Sequence, residues 1–430
     1  MIRRSHLAFG AAVLAAALLL PGAAAPAAAT TVSAEANLDF WWNKYGVDEA
    51  HAAGITGKGV KMAVLEQHIN PDLPVFAGRN LHVSDKAICK DRPTVAWTTP
   101  DEGTRHGVTM TAMVIGNGTG PGGIRGIAPD ADVTFYGYGP DTRPCEPDTD
   151  TGLTAWGYGV KLAVDDGAKI IFTAVTGPGR EGDAPAIAYA ISKGAVLIAA
   201  SANPVNTIMY KTDDQGSMNG VISTAAIDGD GALQKQSDGS PWVIPQTTVV
   251  AGGTLLPSIG NDSGWDASQT ATGSSFASPI VAGMLALAAQ KYPESTGNQL
   301  VQALIATTNG SQHTPVRTED GYGYGLAWLP TLLTVDPTSF PDETPLMGKS
   351  GEFPTADQIE AAKAQGFVPP ADRGRSFDQY GGDETTSSPD FSALLLWVVV
   401  GIVVLVLLAA AATVLIVITQ RRKSGKVSSS

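Results

Sequence analysis

Short, continuously apolar runs alternate with longer segments of helical spacing between residues 60 and 308. The longer segments cover residues 106–115, 153–164, 184–192 and 276–291. The apolar runs are VKMAVLE, DVTFYGYG, KIIFTAV, AVLIAAS and GVISTAAI. Strands that are buried on both faces of a parallel sheet have this unbroken apolar character, and strands that alternate with helices indicate an α/β domain. We therefore predict an α/β fold with a mostly parallel sheet.

The first 29 residues have the features of a secretory signal peptide. Arg3 and Arg4 give a basic start, an Ala- and Leu-rich run follows, and three alanines at 27–29 offer a cleavage site of small residues. The alternative, a membrane-spanning anchor, is disfavoured because the apolar run is short for a bilayer. We predict that residues 1–29 are a signal peptide.

A second apolar stretch, residues 393–418, carries no charge and is long enough to cross a bilayer of about 30 Å as a helix. Three basic residues, 421–423, follow it, and positive flanks stay on the cytoplasmic side. A buried core helix is the less favoured alternative. We predict a single-pass protein of the cell membrane, with a transmembrane helix over residues 391–420. Residues 421–430 are then a cytoplasmic tail, and the bulk of the chain lies outside the cell.

The segment before the α/β domain, residues 30–58, is rich in aromatic side chains that need an apolar surface to bury against. These side chains are Phe40, Trp41, Trp42 and Tyr45. We predict an N-terminal arm that packs on the domain, and a short inhibitory segment is the alternative.

The domain itself is predicted over residues 59–337. Beyond it, residues 338–390 are rich in Pro, Asp, Glu, Gly and Ser, as in PTSFPDETP and DETTSSPD. Such a composition is typical of an extended linker, and we predict one between the domain and the membrane. Residues 356–365 can form a short helix within it.

Charge and cysteine content narrow the classes of partner. The net charge of −13 argues against a nucleic-acid partner, because phosphate binding requires basic patches. Cys89 and Cys145 are the two cysteines of the chain. Outside the cell such a pair favours one disulfide, and two free buried thiols are the alternative. No cluster of His and Cys has metal-ligand spacing, so we expect neither a catalytic metal nor a cofactor.

Four polar residues lie where apolar strands end or helices begin, and these positions suit catalysis. Glu66 ends the strand VKMAVLE, and Asn203 follows AVLIAAS. His106 lies at the start of a predicted helix, and Ser275 begins another. Because proline is tolerated in the first turn of a helix, Pro279 indicates that this second helix begins close to Ser275. Taken singly, the histidine is more often structural, the serine a helix cap and the asparagine a turn residue.

Taken together, the order acid, His, Asn and Ser resembles that of the subtilisin-like serine proteases, peptidase family S8. GIRGIAPDADVTFY at 123–136, GVISTAAI at 220–227 and GYGYG at 321–325 are also similar to motifs of that family. The resemblance covers about residues 40–335 and implies a three-layer subtilisin-like fold. WWNKYGVDEAHAAGITGKGV at 41–60, with the signal peptide, acidic linker and single anchor, resembles the mycosin branch, whose members accompany type VII secretion in actinobacteria.

The resemblance implies a serine endopeptidase that works through an acyl-enzyme. Ser275 is then the nucleophile, His106 the general base, and Glu66 the carboxylate that orients the imidazole. Asn203 and the backbone N–H of Ser275 form the oxyanion hole. The segment Ala174–Val175–Thr176 aligns an extended protein or peptide substrate, as an added strand would. Type VII secretion machinery is an implied partner.

The chain departs from the family pattern around this site. Glu66–Gln67–His68 stands where the family has aspartate, a small hydroxyl residue and glycine. The extra methylene of glutamate moves the carboxylate by roughly 1.5 Å, and catalytic geometry is sensitive to displacements on the order of 1 Å. We interpret His68 as a loop side chain rather than a second titratable group of the site.

Further departures are smaller. Val108 replaces a threonine, Ala202 and Pro204 replace glycines, and Ser274 replaces the threonine before the nucleophile. Thr176 replaces a glycine and adds a side chain where a peptide would lie.

Two hypotheses remain. The first is an active, membrane-tethered endopeptidase, and the second is a catalytically silent subtilisin fold that binds peptides or stabilises a secretion complex. Activity requires the Glu66 carboxylate to lie within about 3.2 Å of the His106 nitrogen that faces away from Ser275. An α/β hydrolase is disfavoured, because the chain has no Gly-x-Ser-x-Gly elbow.

Overall fold

In the computed structural model, the described residues are 34–92, 94–139, 145–147, 151–204 and 213–370, with backbone only for 34–38. A seven-stranded sheet forms the centre of the domain, and all of its neighbouring strand pairs are parallel. Its order is β2-β3-β1-β4-β5-β6-β7. The strands are β1 Lys61–Glu66, β2 Leu81–Val83, β3 Asp132–Gly137, β4 Ile170–Thr173, β5 Val196–Ala200, β6 Val221–Ile227 and β7 Val249–Gly252. This sheet confirms the predicted α/β fold.

Helices cover both faces of the sheet, which gives three layers. They are α1 Ala34–Lys44, α2 Val47–Ala52, α3 Glu102–Ile115, α4 Ala155–Asp165, α5 Ala184–Ser192, α6 Ser274–Lys291, α7 Gly297–Ala306, α8 Leu329–Leu332 and α9 Ala356–Gln365. Alternate residues of β1 face opposite ways: Met62 and Val64 join the apolar core with α3 and α6, whereas Ala63 and Leu65 join the one with α4, α5 and α9. Burial on both faces explains the unbroken apolar runs.

The carboxyl ends of the central strands meet at one edge of the sheet, and this edge positions the site. Strand β4 lies between β1 and β5, so the residues that follow these three strands are neighbours. The long helix α6 packs across β4, β5, β6 and β7. Its N-terminus reaches the same edge, where Ser278 in its second turn donates a hydrogen bond to the Thr173 carbonyl, 3.1 Å away.

The N-terminal arm packs on the domain. Trp41, Trp42 and Tyr45 are buried, while Phe40 is 42% exposed. The Tyr45 hydroxyl accepts a hydrogen bond from the Gly252 N–H at 3.0 Å. The aromatic residues of the arm therefore find the apolar surface that their composition requires.

The segment after residue 337 differs from the predicted extended linker over the part that the structure describes. Up to residue 370 it folds back on the domain, and α9 occupies the predicted helical span 356–365. Leu346, Ile359 and Ala362 are buried. A few well-spaced apolar residues suffice to attach a chain whose average composition is polar. Residues 371–390 lie outside the described residues.

Several other elements differ from the sequence prediction. Strands β2 and β7, helix α7 and an antiparallel hairpin, β8 Leu256–Asn261 with β9 Gly264–Ala271, were not anticipated. The predicted signal peptide and transmembrane helix fall outside the described residues. None of the helices in the described part of the chain has both the length and the apolar character needed to span a membrane.

Cys89 and Cys145 are joined in a disulfide, with their Cα atoms 5.6 Å apart. Both residues are buried beside the core that α4 and α5 share. The bond links the loop after β2 to the loop after β3.

Candidate active site

Glu66 is the last residue of β1, and its side chain is fully buried. One carboxylate oxygen, Oε2, lies 3.0 Å from Nδ1 of His106. The other oxygen, Oε1, accepts a hydrogen bond from the Ala174 N–H at 3.2 Å. The longer glutamate side chain is thus accommodated, and its carboxylate lies within the 3.2 Å that an orienting contact requires.

His106 is the fifth residue of α3, so the helix begins one turn earlier than predicted. Asp101 caps it by accepting the Thr104 N–H at 2.8 Å, and aspartate is a strong helix-start signal that the sequence prediction overlooked. Position 107 requires glycine, because a Cβ there would overlap the carbonyl oxygen of His68. This close approach of α3 to the loop after β1 brings the imidazole to Glu66.

The electrostatics of this pair favour the imidazolium. Burial lowers the pKa of His106, but the Glu66 charge and its hydrogen bond outweigh burial, and Glu102 adds a further contribution. The pKa of His106 is therefore raised above its ordinary value of 6.5. The ring is 29% exposed, so it can meet a substrate while its other side is held by a buried carboxylate.

His68 lies in the loop after β1, as the sequence predicted, but its side chain is buried. Its ring stacks on that of Trp97, with centroids 5.4 Å apart. Burial lowers its pKa, against a smaller opposing effect of Asp101. His68 therefore forms part of the packing under α3, and its backbone carbonyl is what Gly107 accommodates.

Ser275 is the second residue of α6 and is half-buried. Its hydroxyl donates to the Ala174 carbonyl at 3.2 Å. Among the described residues this carbonyl, and not the His106 ring, is the partner of the hydroxyl. Pro279 lies in the second turn of α6 and not in the first as predicted, and it supplies no N–H to the carbonyl of Ser275.

Asn203 lies three residues beyond β5, and Ser274, the residue before Ser275, fixes its amide oxygen. That oxygen accepts from the Ser274 N–H at 3.0 Å and from the Ser274 hydroxyl at 3.3 Å. The same hydroxyl also bonds the Ser201 carbonyl. These bonds fix the orientation of the amide, and its NH₂ group, which is the donor, is left to bond an oxyanion.

The predicted substrate-aligning segment follows β4, and its first residue touches both ends of the site. Ala174 donates its N–H to Glu66 and accepts the Ser275 hydroxyl through its carbonyl. Val175 accepts the Thr173 hydroxyl at 3.2 Å. The Thr176 hydroxyl lies 3.3 Å from the carbonyls of both Ala200 and Ser201. The extra side chain of Thr176 thus bridges the segments after β4 and β5.

Sequence reasoning missed a buried carboxylate beside residues 201–204, which carry Asn203 and are here called the oxyanion loop after their predicted role. Asp214 is fully buried and accepts the Ala202 N–H at 3.2 Å and the Gln246 amide at 3.1 Å. Burial raises its pKa to about 6. The available clue was an acidic pair, Asp213–Asp214, which stands a short polar and glycine-containing segment before the apolar strand β6. Among the residues that the structure describes, no group of three or more His, Cys, Asp or Glu side chains is arranged to hold a metal ion.

Comparisons with known proteins agree with this architecture. The profile of the Subtilase family matches residues 57–325. Mycosin-1 of Mycolicibacterium smegmatis is 26% identical over 384 residues, which is 78% of this chain and 79% of that protein. Thermitase of Thermoactinomyces vulgaris is 31% identical over 155 residues, 35% of this chain and 50% of that protein.

Two solved structures show the same fold. The structure of MycP1 from Mycobacterium smegmatis has a TM-score of 0.51 and 22% identity, and the match covers 72% of this chain and 88% of that one. The PatG macrocyclase domain has a TM-score of 0.53 and 16% identity, with 69% and 97% covered.

Proposed function

Because this chain belongs to the subtilase family of serine proteases, we propose that it is a serine endopeptidase that cleaves peptide bonds through an acyl-enzyme. The observation that carries the proposal is the contact of 3.0 Å between the buried Glu66 carboxylate and Nδ1 of His106. A carboxylate in this position holds the imidazole in one tautomer and leaves Nε2 to face the nucleophile. Glutamate thereby takes the role that aspartate has elsewhere in the family.

In the proposed reaction, the Ser275 hydroxyl attacks the substrate carbonyl and gives its proton to Nε2 of His106. The negative charge of Glu66 stabilises the imidazolium that forms. The NH₂ group of Asn203 and the backbone N–H of Ser275 donate to the oxyanion, and the positive N-terminal end of α6 adds to this stabilisation. His106 then returns the proton to the leaving amine, and water releases the acyl group by the reverse sequence.

We also propose that the peptidase acts outside the cell, tethered by the helix at residues 391–420. The support is the apolar sequence of that stretch and the basic residues that follow it. A role beside type VII secretion is supported by the similarity to Mycosin-1 over 78% of the chain. The fold shared with the MycP3 protease from the type VII (ESX-3) secretion system is consistent with that role.

The alternative is a catalytically silent scaffold that binds peptides or stabilises a secretion complex. Two contacts favour it: the Ser275 hydroxyl is bonded to Ala174, and Thr176 fills space beside the site. The endopeptidase requires the hydroxyl to leave the Ala174 carbonyl and turn to His106.

Labelling of the full chain with a fluorophosphonate probe tests the proposal, because the probe reacts only with a serine that its base activates. We expect wild type to be labelled and Ser275→Ala to remain unlabelled. Ser263→Ala, in an exposed hairpin turn, is the matched control and should react as wild type does. A folded wild type that resists labelling would refute the endopeptidase and support the silent scaffold.

A further inference from the structure

A lysine from beyond the family match is enclosed by residues that lie next to the candidate site in the fold. Residues 346–354, here called the strap, follow the end of that match at residue 325. Lys349 of the strap is half-buried as a residue, but its amine is enclosed. Nζ donates to the carbonyls of Gly216 and Val221 at 2.7 and 2.6 Å and approaches the Thr248 hydroxyl at 3.3 Å. Three partners match the three donors of an ammonium group.

The backbone of the strap holds the same stretch of the domain. Asn219 is the centre of these contacts: its N–H donates to the Phe353 carbonyl at 2.7 Å, and its side-chain oxygen accepts the Lys349 N–H at 2.9 Å. Gly220 donates to the Leu346 carbonyl at 2.9 Å. Residues 216–221 are therefore fixed from outside by the strap.

The residues just before this stretch contact both sides of the candidate site. Asp214 accepts the N–H of Ala202, which directly precedes Asn203. Gln215 accepts the N–H of Gly177 through its side chain at 2.7 Å and donates its own N–H to the Gly177 carbonyl at 3.1 Å. A shift of residues 214–216 would therefore displace both the oxyanion loop and the segment that contains Thr176.

Charge strengthens this arrangement. Burial lowers the pKa of Lys349 to about 7, Asp214 acts in the opposite direction, and Arg317 lowers it further. Burial raises the pKa of Asp214 to about 6, and Lys349 is among the groups that oppose that rise. Each buried charge is therefore partly compensated by the other. Loss of the amine would remove a positive charge that stabilises the buried Asp214 carboxylate.

We propose that Lys349 is a positioning residue for the proposed peptidase. Its enclosed amine holds residues 216–221, so that Asp214 and Gln215 keep Ala202 and Gly177 at the spacing that acyl transfer requires. The role of Lys349 in catalysis rests on the proposed function, whereas its effect on these two amides does not.

Hydrogen exchange of the full-length protein tests the positioning directly. Lys349→Met keeps the aliphatic stem but removes all three hydrogen bonds of the amine. We expect the amides of Ala202 and Gly177 to exchange at least about 10-fold faster, with no change in α7. Lys169→Met is the matched control: this lysine donates to the Ser295 carbonyl at 2.8 Å at the opposite end of β4. If Lys349→Met does not fold, Lys349→Gln, which keeps an amide donor, replaces it.

Unchanged exchange at Ala202 and Gly177 in folded Lys349→Met, or in Lys349→Gln where it replaces that variant, would overturn the proposal whether or not the protein cleaves peptides. A wild type without activity would refute the endopeptidase alone, and the exchange result would still decide the positioning. The two failures are therefore distinguishable.

Peptide kinetics test the consequence for the reaction. A displaced oxyanion loop weakens transition-state binding more than substrate binding, so we expect kcat/KM of Lys349→Met to fall about 10- to 100-fold, mostly in kcat. Lys169→Met, the control above, leaves the contacts of residues 216–221 in place and should stay within about 3-fold of wild type. Equal kcat values in wild type and folded Lys349→Met would contradict the role in catalysis.

Discussion

The orientation of one imidazole depends on a single buried carboxylate. Glu66 has two partners, the ring of His106 and the N–H of Ala174, one for each oxygen. Hydrogen bonds to a charged acceptor are stronger than neutral ones, and the two together fix the carboxylate plane. The added methylene of glutamate is therefore compatible with an ordered site.

Replacing Glu66 with glutamine tests this dependence through the pH profile. The Glu66 charge raises the pKa of His106, and the imidazole must be neutral to act as the proposed base. Glu66→Gln should therefore move the acid limb of kcat/KM to lower pH. An amide can also hold the wrong tautomer, so we expect kcat/KM to fall about 10²- to 10⁴-fold.

The control for this experiment is Glu102→Gln. Glu102 is an exposed residue whose effect on the pKa of His106 is smaller. It should leave kcat near the wild-type value and shift the limb much less. An acid limb in the same place for wild type and Glu66→Gln would show that Glu66 does not control the base.

Elements place these side chains, and the sequence anticipated some elements better than others. Strands β1, β4, β5 and β6 were predicted because burial on both faces makes them continuously apolar. The hairpin β8–β9 was missed because β9 mixes polar with apolar residues, none of them fully buried, and so lacks that continuously apolar character. The three residues of β2 are too few to show any period.

The contact of α3 with the loop after β1 depends on Gly107. Gly107→Ala would place a Cβ against the backbone carbonyl of His68, and backbone cannot move aside as a side-chain end can. We expect the free energy of unfolding to fall by about 1–3 kcal/mol and the proposed activity to fall with it, as measured by urea unfolding and probe labelling.

Gly103→Ala in the same helix is the matched control. A Cβ there meets the end of the Gln67 side chain at 2.8 Å, and this flexible end can shift. We expect its stability to stay within about 1 kcal/mol of wild type, because alanine is also the better helix former. Equal stability of Gly107→Ala and Gly103→Ala would rule out the proposed tight contact.

On the scale of the whole molecule, the sequence predicted which motifs lie together at one sheet edge, but not the contacts that hold these motifs in place. Glu66 ends β1, Asn203 lies three residues beyond β5, and Ser275 lies in the first turn of α6. The parallel sheet brings these three to one edge, and the close approach of α3 adds His106. Ala174 makes its hydrogen bonds to Glu66 and Ser275 through backbone atoms, which every residue type has, so the sequence gives no sign of them. The buried contacts of Lys349 could not be predicted, because this residue lies in a segment whose average composition is typical of a linker.

Removal of the strap and α9 tests whether they belong to the folded unit. A chain that ends at residue 337 loses the burial of Leu346 and Ile359 and the hydrogen bonds to Asn219. We expect its melting temperature to fall by more than about 5 °C. A chain that ends at residue 370 keeps these contacts and serves as the matched control. Equal melting temperatures for the two would support the linker that the composition suggested.

The disulfide between Cys89 and Cys145 has a practical consequence for preparing this protein. It closes a loop of 56 residues. In the chain-entropy account, closing such a loop raises the free energy of the unfolded chain by about 4 kcal/mol. Whole domains are stable by only about 5–15 kcal/mol. Recombinant material made in a reducing cytosol would lack this covalent link, so oxidative refolding or export to the periplasm is the appropriate route to a fully stable sample.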